Sequence, residues 1–344
     1  MRFRADGHLY KQMAEELRRD IESRRFAGKI PGERELSQRY KVNFKTANKA
    51  VAQLVDAGLL CRVKGKGTFV AQRRAAKKAL GLIGLSVPEL DNPYFARTVQ
   101  AIERAAAREA IAVLLHSPES KKSEDAFLRN LDARGADGLI TYNRALLERA
   151  RGLPFAVAGF GAGTASGDYV SADVLAGAKL VTEHLLERFG TSLAYVGVTA
   201  AAGDDRVRGF RETLESACGA PKAAQFCVGE NNYRGGFNAA KKLLTKQRPR
   251  AIFFYNDYMA MGGERAIAEL GLRVPQDIAV AGFDDSVAPA EMVVPTTSVL
   301  FSFEQTAEAL LRLLKRRLGE PDAEGELVRI APVLRVRKSS SISR

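Results

Sequence analysis

From Leu80 onward the chain alternates short unbroken apolar runs with amphipathic segments of helix length, and this rhythm restricts its fold more than any other feature. A strand that is apolar on both faces must be covered on both faces, which in practice means a parallel sheet between layers of helices. The runs are Leu82–Val87, Ile111–Leu115, Gly138–Tyr142, Phe155–Ala158, Leu193–Val198, Ala251–Tyr255, Ile278–Phe283 and Val328–Val336. Between them lie segments such as Phe95–Glu109, Val174–Phe189, Arg206–Ala217 and Tyr258–Gly271. About 260 residues of this pattern exceed one compact sheet, so two doubly wound α/β lobes are expected. Ligands of such sheets sit at the carboxyl ends of the strands, here in the cleft between lobes.

The N-terminal part reads differently. Leu9 to about Arg25 is an amphipathic helix with Met13, Leu17 and Ile21 on one face. The stretch Ile30–Val70 then predicts two short helices and a hairpin. Pro31 and Gly32 precede a helix over Glu33–Tyr40. Asn43 is an N-cap for a second helix, whose Ala47, Ala50, Val51 and Leu54 form an apolar stripe at i, i+3, i+4, i+7. Its other face carries Lys45, Asn48, Lys49 and Ala52, and Gly58 is a stop signal. Leu59–Val63 and Thr68–Ala71 pair around Lys64-Gly65-Lys66-Gly67, a hairpin with lysine at its tip. A helix with a cationic outer face beside a basic ribbon suits a major groove and its flanking phosphates.

The distribution of charge points the same way. Of a net +13, residues 1–80 hold 20 Lys and Arg against 8 Asp and Glu, and the rest of the chain is nearly balanced. A basic segment alone is as often a solvated face, but here it coincides with the two-helix pattern. Gln72–Ala79 adds four positive charges with no apolar anchor and reads as a linker.

These residues resemble the winged helix-turn-helix of the GntR family of bacterial transcription regulators, across roughly residues 9–71. The resemblance rests on Leu9-Tyr10, on Pro31-x-Glu33-Arg34-Glu35-Leu36, on Leu54-x-x-x-Gly58-Leu59-Leu60 and on Gly65-Lys66-Gly67-Thr68-Phe69-Val70. It implies DNA contacts from Arg34, from Asn43, Phe44, Lys45, Thr46, Asn48 and Lys49 on the recognition helix, and from Lys64, Gly65 and Lys66 on the wing. Family members usually carry arginine where this chain has Phe44 and Asn48, and serine where it has Gly32. Packing and base contact are both open for Phe44.

A second resemblance covers roughly residues 80–338. Asp91-Asn92-Pro93-Tyr94-Phe95, Arg206-x-x-Gly209-Phe210, Asn256-Asp257-Tyr258-Met259-Ala260, and Val274 to Asp285 followed by Pro295-Thr296-Thr297, are similar to the effector domain of LacI/GalR regulators, itself like periplasmic sugar-binding proteins. A GntR-type reader on such a domain is the arabinose-repressor arrangement. It implies a reader over 1–71, a basic linker over 72–79, an effector domain over 80–338 and a tail over 339–344. It also implies three crossings between lobes, with lobe one at about 80–170 plus 298–323 and lobe two at about 171–297 plus 324–338. The expected partners are operator DNA, a second copy bound through the effector domain, and a small molecule, foremost a sugar. A purine or other metabolite stays open as effector, and so does a DNA-binding protein without a ligand.

Ligand contacts are expected from Asn92, Tyr94, Phe95, Arg206, Asn256, Asp257 and Asp284, because polyols need fixed polar groups and a ring against their apolar face. Phe160 and Phe254 are further possible rings, although Phe254 lies within an apolar strand and reads better as core. Asp257 and Asp173 also fit as simple helix caps, and Asp285 as a support.

Enzymatic readings fail on spacing. Gly159-Phe160-Gly161-Ala162-Gly163 would need a glycine where Thr164 stands to be a dinucleotide fingerprint, and reads instead as a loop into the cleft. His8, His116 and His184 show no metal spacing, so neither cofactor nor metal is expected. Cys61, Cys218 and Cys227 are too few and scattered for a disulfide framework and fit reduced thiols of a cytoplasmic protein. The N-terminus is charged with no apolar h-region, so no secretory signal is expected, and no apolar run approaches the length needed to span a bilayer.

Overall fold

The computed structural model describes residues 9–22, 25–26, 28–56, 59–63, 67–70, 79–162, 167–201, 203–219 and 225–341. The N-terminal unit has helices α1 (Leu9–Glu22), α2 (Glu33–Arg39) and α3 (Phe44–Asp56) and the antiparallel strands β1 (Leu60–Val63) and β2 (Gly67–Val70). Asn43 caps α3 by accepting the Thr46 N–H at 2.7 Å. Ala47, Ala50, Val51 and Leu54 pack with Met13, Leu17 and Leu36 as one fully buried cluster, each large side chain contributing roughly 2 kcal/mol. Ile30 donates its N–H to Thr68 and Val70 its own to Gly28, so the segment before α2 lies along β2 as a short third strand. The expected hairpin tip and residues 72–78 of the linker lie outside the described residues.

The first lobe runs β3 (Leu82–Ser86), α4 (Pro93–Ala107), β4 (Ala112–His116), α5 (Lys121–Arg134), β5 (Gly138–Thr141), α6 (Arg144–Ala150), β6 (Ala156–Ala162) and β7 (Tyr169–Ala172). The second follows with α7 (Val174–Phe189), β8 (Leu193–Gly197), α8 (Asp205–Cys218), β9 (Gln225–Val228), α9 (Tyr233–Leu244), β10 (Ala251–Phe254), α10 (Asp257–Glu269) and β11 (Ala279–Ala281). The chain then returns through β12 (Ser298–Leu300), α11 (Phe303–Gly319), β13 (Leu327–Ile330) and β14 (Val333–Arg335). One sheet has the order β13-β7-β6-β5-β3-β4 and the other β11-β10-β8-β9, with every pairing in both parallel. The antiparallel pair of β12 with β14 lies apart from both.

Two expectations need correction here. The run Val328–Val336 is not one strand of the second lobe. Pro332, which has no N–H to give a ladder, divides it. β13 joins the first sheet beside β7, and β14 turns away to pair with β12. Buried Asp168 fastens the first half, accepting from Arg317 Nε at 2.7 Å, Glu326 N at 3.0 Å and Arg316 Nη1 at 3.3 Å. The first sheet therefore takes residues 327–330, and its β7 runs to Ala172 rather than ending at 170. Nor is Gly159–Ala162 a loop, since it continues β6 in register with Tyr169–Ala172. Glycine is needed within it: Gly161 has φ +140°, and a Cβ there would meet the Tyr142 ring at 2.9 Å.

Candidate functional site

After β3, β4, β5, β7, β8, β9 and β10 the chain leaves the strand at its carboxyl end and turns into a helix, and at this end the turns of the two lobes face one another. They enclose a cavity of about 300 Å³. The first lobe supplies Asn92, Tyr94 and Phe95 after β3, Tyr142 after β5, and Gly161 and Ala172 on β6 and β7. The second supplies Gly203 to Arg206 at the start of α8, Asn231 after β9, Tyr255 and Asn256 after β10, and Asp284 after β11. Phe301, beyond β12, closes the back.

The strongest electrostatic feature is an ion pair, with Arg206 Nη2 donating to Asp284 Oδ1 at 3.1 Å. Both side chains are about nine-tenths buried. The guanidinium lies 4.2 Å from the Tyr255 ring centroid and 4.5 Å from that of Phe283, so rings flank it. Burial pulls the Arg206 proton affinity down, but Asp284 and the neighbouring Tyr255 and Tyr195 more than offset this, and Arg206 stays charged. Burial lifts the Asp284 carboxyl above its usual range even with Arg206 beside it. Asp284 has φ +83° and Asp285 +47°. Left-handed backbone at a non-glycine residue costs on the order of 1 kcal/mol or more, and it persists where the surroundings enforce it. Here it turns the Asp284 carboxylate into the cavity while Asp285 points away to Arg337, at 2.7 Å.

Three of the helices that begin at the cavity are capped by side chains that line it. Asn92 accepts from Tyr94 N at 3.1 Å and donates to Glu89. Asp204 accepts from Arg206 N at 2.9 Å and Val207 N at 3.2 Å. Asn256 accepts from Met259 N at 2.9 Å and donates to Asn231 at 2.8 Å. The aromatic wall is equally tied together: Phe95 meets Tyr94 and Tyr142 edge-on at 5.2 and 4.9 Å. Burial pushes the Tyr142 hydroxyl up to about 12 and raises that of Tyr94, so both are neutral donors at physiological pH.

Of the residues expected to meet ligand, Asn92, Tyr94, Phe95, Arg206, Asn256 and Asp284 line the cavity and Asp257 does not. Asp257 is buried behind it, accepting from Ser286 N at 2.6 Å and Ser298 Oγ at 2.7 Å, and burial raises its carboxyl well above the ordinary range. Adjacent residues at a helix start point about 100° apart, so Asn256 faces the cavity and Asp257 fixes the Asp284–Ser286 turn from beneath. Asp173 caps α7 through Ala176 N. Phe160 backs Tyr142 at 5.5 Å and is buried, and Phe254 lies in the second lobe's core. The sequence reading missed Tyr142, Asp204, Asp205, Asn231, Tyr255 and Phe301. Tyr142 and Tyr255 end recognisable strands, where the carboxyl-end rule would have found them. Asn231 follows β9, whose Gln225–Val228 carries too weak a pattern.

On the reader, Arg34, Asn43, Phe44, Lys45 and Lys49 are exposed, and Thr46 and Asn48 partly so. Lys49 Nζ lies over the Tyr10 ring at 4.1 Å. Arg62 on β1, which the sequence did not single out, donates to Asn48 Oδ1 at 3.1 Å and to Glu33 at 3.2 Å. Lys64, Gly65 and Lys66 lie outside the described residues.

Comparison with known proteins agrees with both halves. Residues 9–70 match the family of bacterial regulatory proteins termed gntR, and residues 182–340 match the periplasmic binding protein-like domain. The HTH-type transcriptional repressor PurR of Yersinia pestis bv. Antiqua is 30% identical over 272 residues, covering 75% of this chain and 79% of that protein. The ribose operon repressor of Escherichia coli K12 is 26% identical over 271 residues, covering 75% and 82%. A LacI family transcriptional regulator from Enterococcus faecium, solved with bound ribose, superposes with a TM-score of 0.67 at 22% identity, over 75% of this chain and 98% of that one.

Proposed function

The chain belongs to the LacI-type family of transcription regulators, with a gntR-family reader ahead of its periplasmic-binding-protein-like domain, and from that premise we propose a repressor released from, or held on, its operator by a small uncharged polyhydroxylated ligand, foremost a sugar. The observation that carries the ligand half is the Arg206–Asp284 pair, buried between rings in a cavity lined from both lobes. Charge-assisted donors and acceptors fixed at known positions select hydroxyl groups, and the tyrosine rings offer flat apolar faces. The uncharged character follows from what is already occupied. Among the described lining residues Arg206 is the one cation, against Asp204, Asp205 and Asp284, and it is committed to Asp284. The three helix N-termini, which would otherwise attract an anion, are capped. A nucleobase is the second reading, favoured by the rings of Tyr94, Phe95, Tyr142, Tyr255 and Phe301 around one cavity.

The DNA half follows from the exposed basic face of α3 and the charge held in residues 1–80. A single reader touches too few bases for useful specificity, so two copies on two half-sites form the working unit, joined through the effector domains. Ligand held by Arg206, Asn256 and Asp284 and covered by Tyr94 and Phe95 draws the lobes together. That movement resets the spacing of the two readers, since only differential affinity for two states shifts their balance.

The test is a thermal-shift screen of neutral sugars, their phosphorylated forms and nucleobases against the full chain. At about a hundred times its dissociation constant a ligand stabilises the protein by roughly 2.7 kcal/mol. A neutral sugar is expected to raise the melting temperature and to change operator binding in an anisotropy titration. A phosphorylated sugar binding more tightly than its neutral parent would overturn the ligand assignment while leaving the DNA half standing.

A further inference from the structure

The outer face of α3 carries one group whose chemistry differs from the rest. Phe44 is 48% exposed at the first position of the helix and stands outside the apolar cluster that holds the reader together. Single exposed apolar residues are ordinary on protein surfaces. This one occupies the place that reads DNA. In a helix-turn-helix the second helix enters the major groove and its N-terminal residues meet the base edges. Phe44 opens that helix beside the exposed Lys45, at the border of the packed stripe of Ala47, Ala50, Val51 and Leu54 but exposed at the helix end.

The neighbouring polar side chains narrow what Phe44 does there. Asn48, one turn further along, has its oxygen engaged by Arg62 of β1, a contact that ties this side chain to the wing. Lys49 is drawn over the Tyr10 ring. Phe44 is left facing outward, and a phenyl ring has no hydrogen bond to give. The one apolar group that base pairs present in the major groove is the C5-methyl of thymine. We propose that Phe44 reads thymine, its ring packing on the C5-methyl at one fixed position of each operator half-site. This rests on the assignment of residues 9–70 as a DNA reader and adds the base that it selects.

The experiment uses the full-length protein and a pool of random duplexes. Selection is expected to enrich a half-site with an invariant T·A pair at one position. Replacing that thymine by deoxyuridine removes only the methyl group and is expected to weaken wild-type binding about fourfold for each half-site changed, the effect of exposing one methyl. Phe44→Ala should bind the two sites equally, and Phe44→Arg should select guanine in place of thymine, because arginine pairs with the guanine edge. Phe44 is solvent-exposed, so both variants should melt as the wild type does. The inference is overturned if wild type binds the thymine and uracil sites alike, or if Phe44→Ala keeps the preference. Failure to enrich any sequence would instead remove the DNA-reading assignment itself.

Discussion

Lys45 stands exposed on α3, in a segment where 20 Lys and Arg face only 8 Asp and Glu. Arg206 is buried, paired to Asp284 at 3.1 Å and flanked by two rings. The reader keeps its charges in water, where they act over a Debye length and displace counterions from a polyanion. The cleft takes Arg206 and Asp284 out of water and pairs them with each other beforehand, so they act at contact distance and respond little to salt. The first arrangement gives affinity for any duplex. The second gives selectivity for a shape, because a buried group that finds the wrong partner loses its hydrogen bonds. Three experiments press on this contrast, beginning with the largest expected effect.

Arg206→Ala removes the cation and leaves the Asp284 carboxylate buried and unpaired. Breaking a buried pair on one side destabilises by about 3–5 kcal/mol, which here is lessened because the carboxyl, already raised by burial, takes up a proton. The variant should melt well below wild type, yet bind operator with unchanged affinity at a temperature where it is folded. It should no longer respond to the ligand found by the screen. An Arg206→Ala protein that answers that ligand like wild type would show the pair to be architectural.

Glu264 extends the contrast to a carboxylate with no cation beside it among the described residues. It is buried, accepts from the Thr296 hydroxyl and from Val294 N at 3.1 Å, and burial lifts its carboxyl from 4.5 to about 7. The folded protein thus holds a proton there that the unfolded chain releases near pH 4.5. The stabilising contribution is whole below about pH 4.5, shrinks as pH rises, and is gone above about pH 7, a total on the order of 3 kcal/mol. Glu264→Gln should flatten that part of the pH profile of stability. Equal slopes for wild type and variant between pH 5 and 8 would place the titration elsewhere. No group on the reader's exposed face should give an effect of this size.

How much of this was legible in the sequence differs between the two regions for the same physical reason. The reader depends on local signals, and Asn43, the stripe Ala47–Leu54 and the hairpin pairing sit where the spacing put them. Strand positions in the lobes were equally readable wherever continuous apolar runs ended at a turn. The cleft depends on which way a side chain leaves its turn. Asn256 and Asp257 are neighbours in sequence, yet one faces the cavity and the other lies beneath the Asp284 turn. β13 departs from the expected lobe because its sheet is decided by Asp168, far from it along the chain and held there by Arg316 and Arg317, and by a proline whose effect is to separate two strands. The Arg62–Asn48 contact joins wing to helix and leaves no trace in either segment alone.

The smallest expected effect tests the reader directly. Lys45→Ala removes one exposed cation from α3 and touches no buried group, so its melting temperature should stay within about 1 °C of wild type, as for ordinary surface substitutions. Operator affinity should fall, on the order of tenfold at low salt, and by nearly the same factor on unrelated duplexes, because a phosphate contact carries no sequence information. The slope of log affinity against log salt should become shallower by about 0.9 for each phosphate lost, and two copies on one operator double it. Ligand binding, measured in the same buffers, should show no change in affinity or salt dependence. If Lys45→Ala instead weakens the selected operator alone and leaves the salt slope intact, Lys45 contacts a base edge. The exposed charge of the reader then selects sequence as the buried charge of the cleft selects ligand, and the contrast between the two surfaces narrows to their exposure to water.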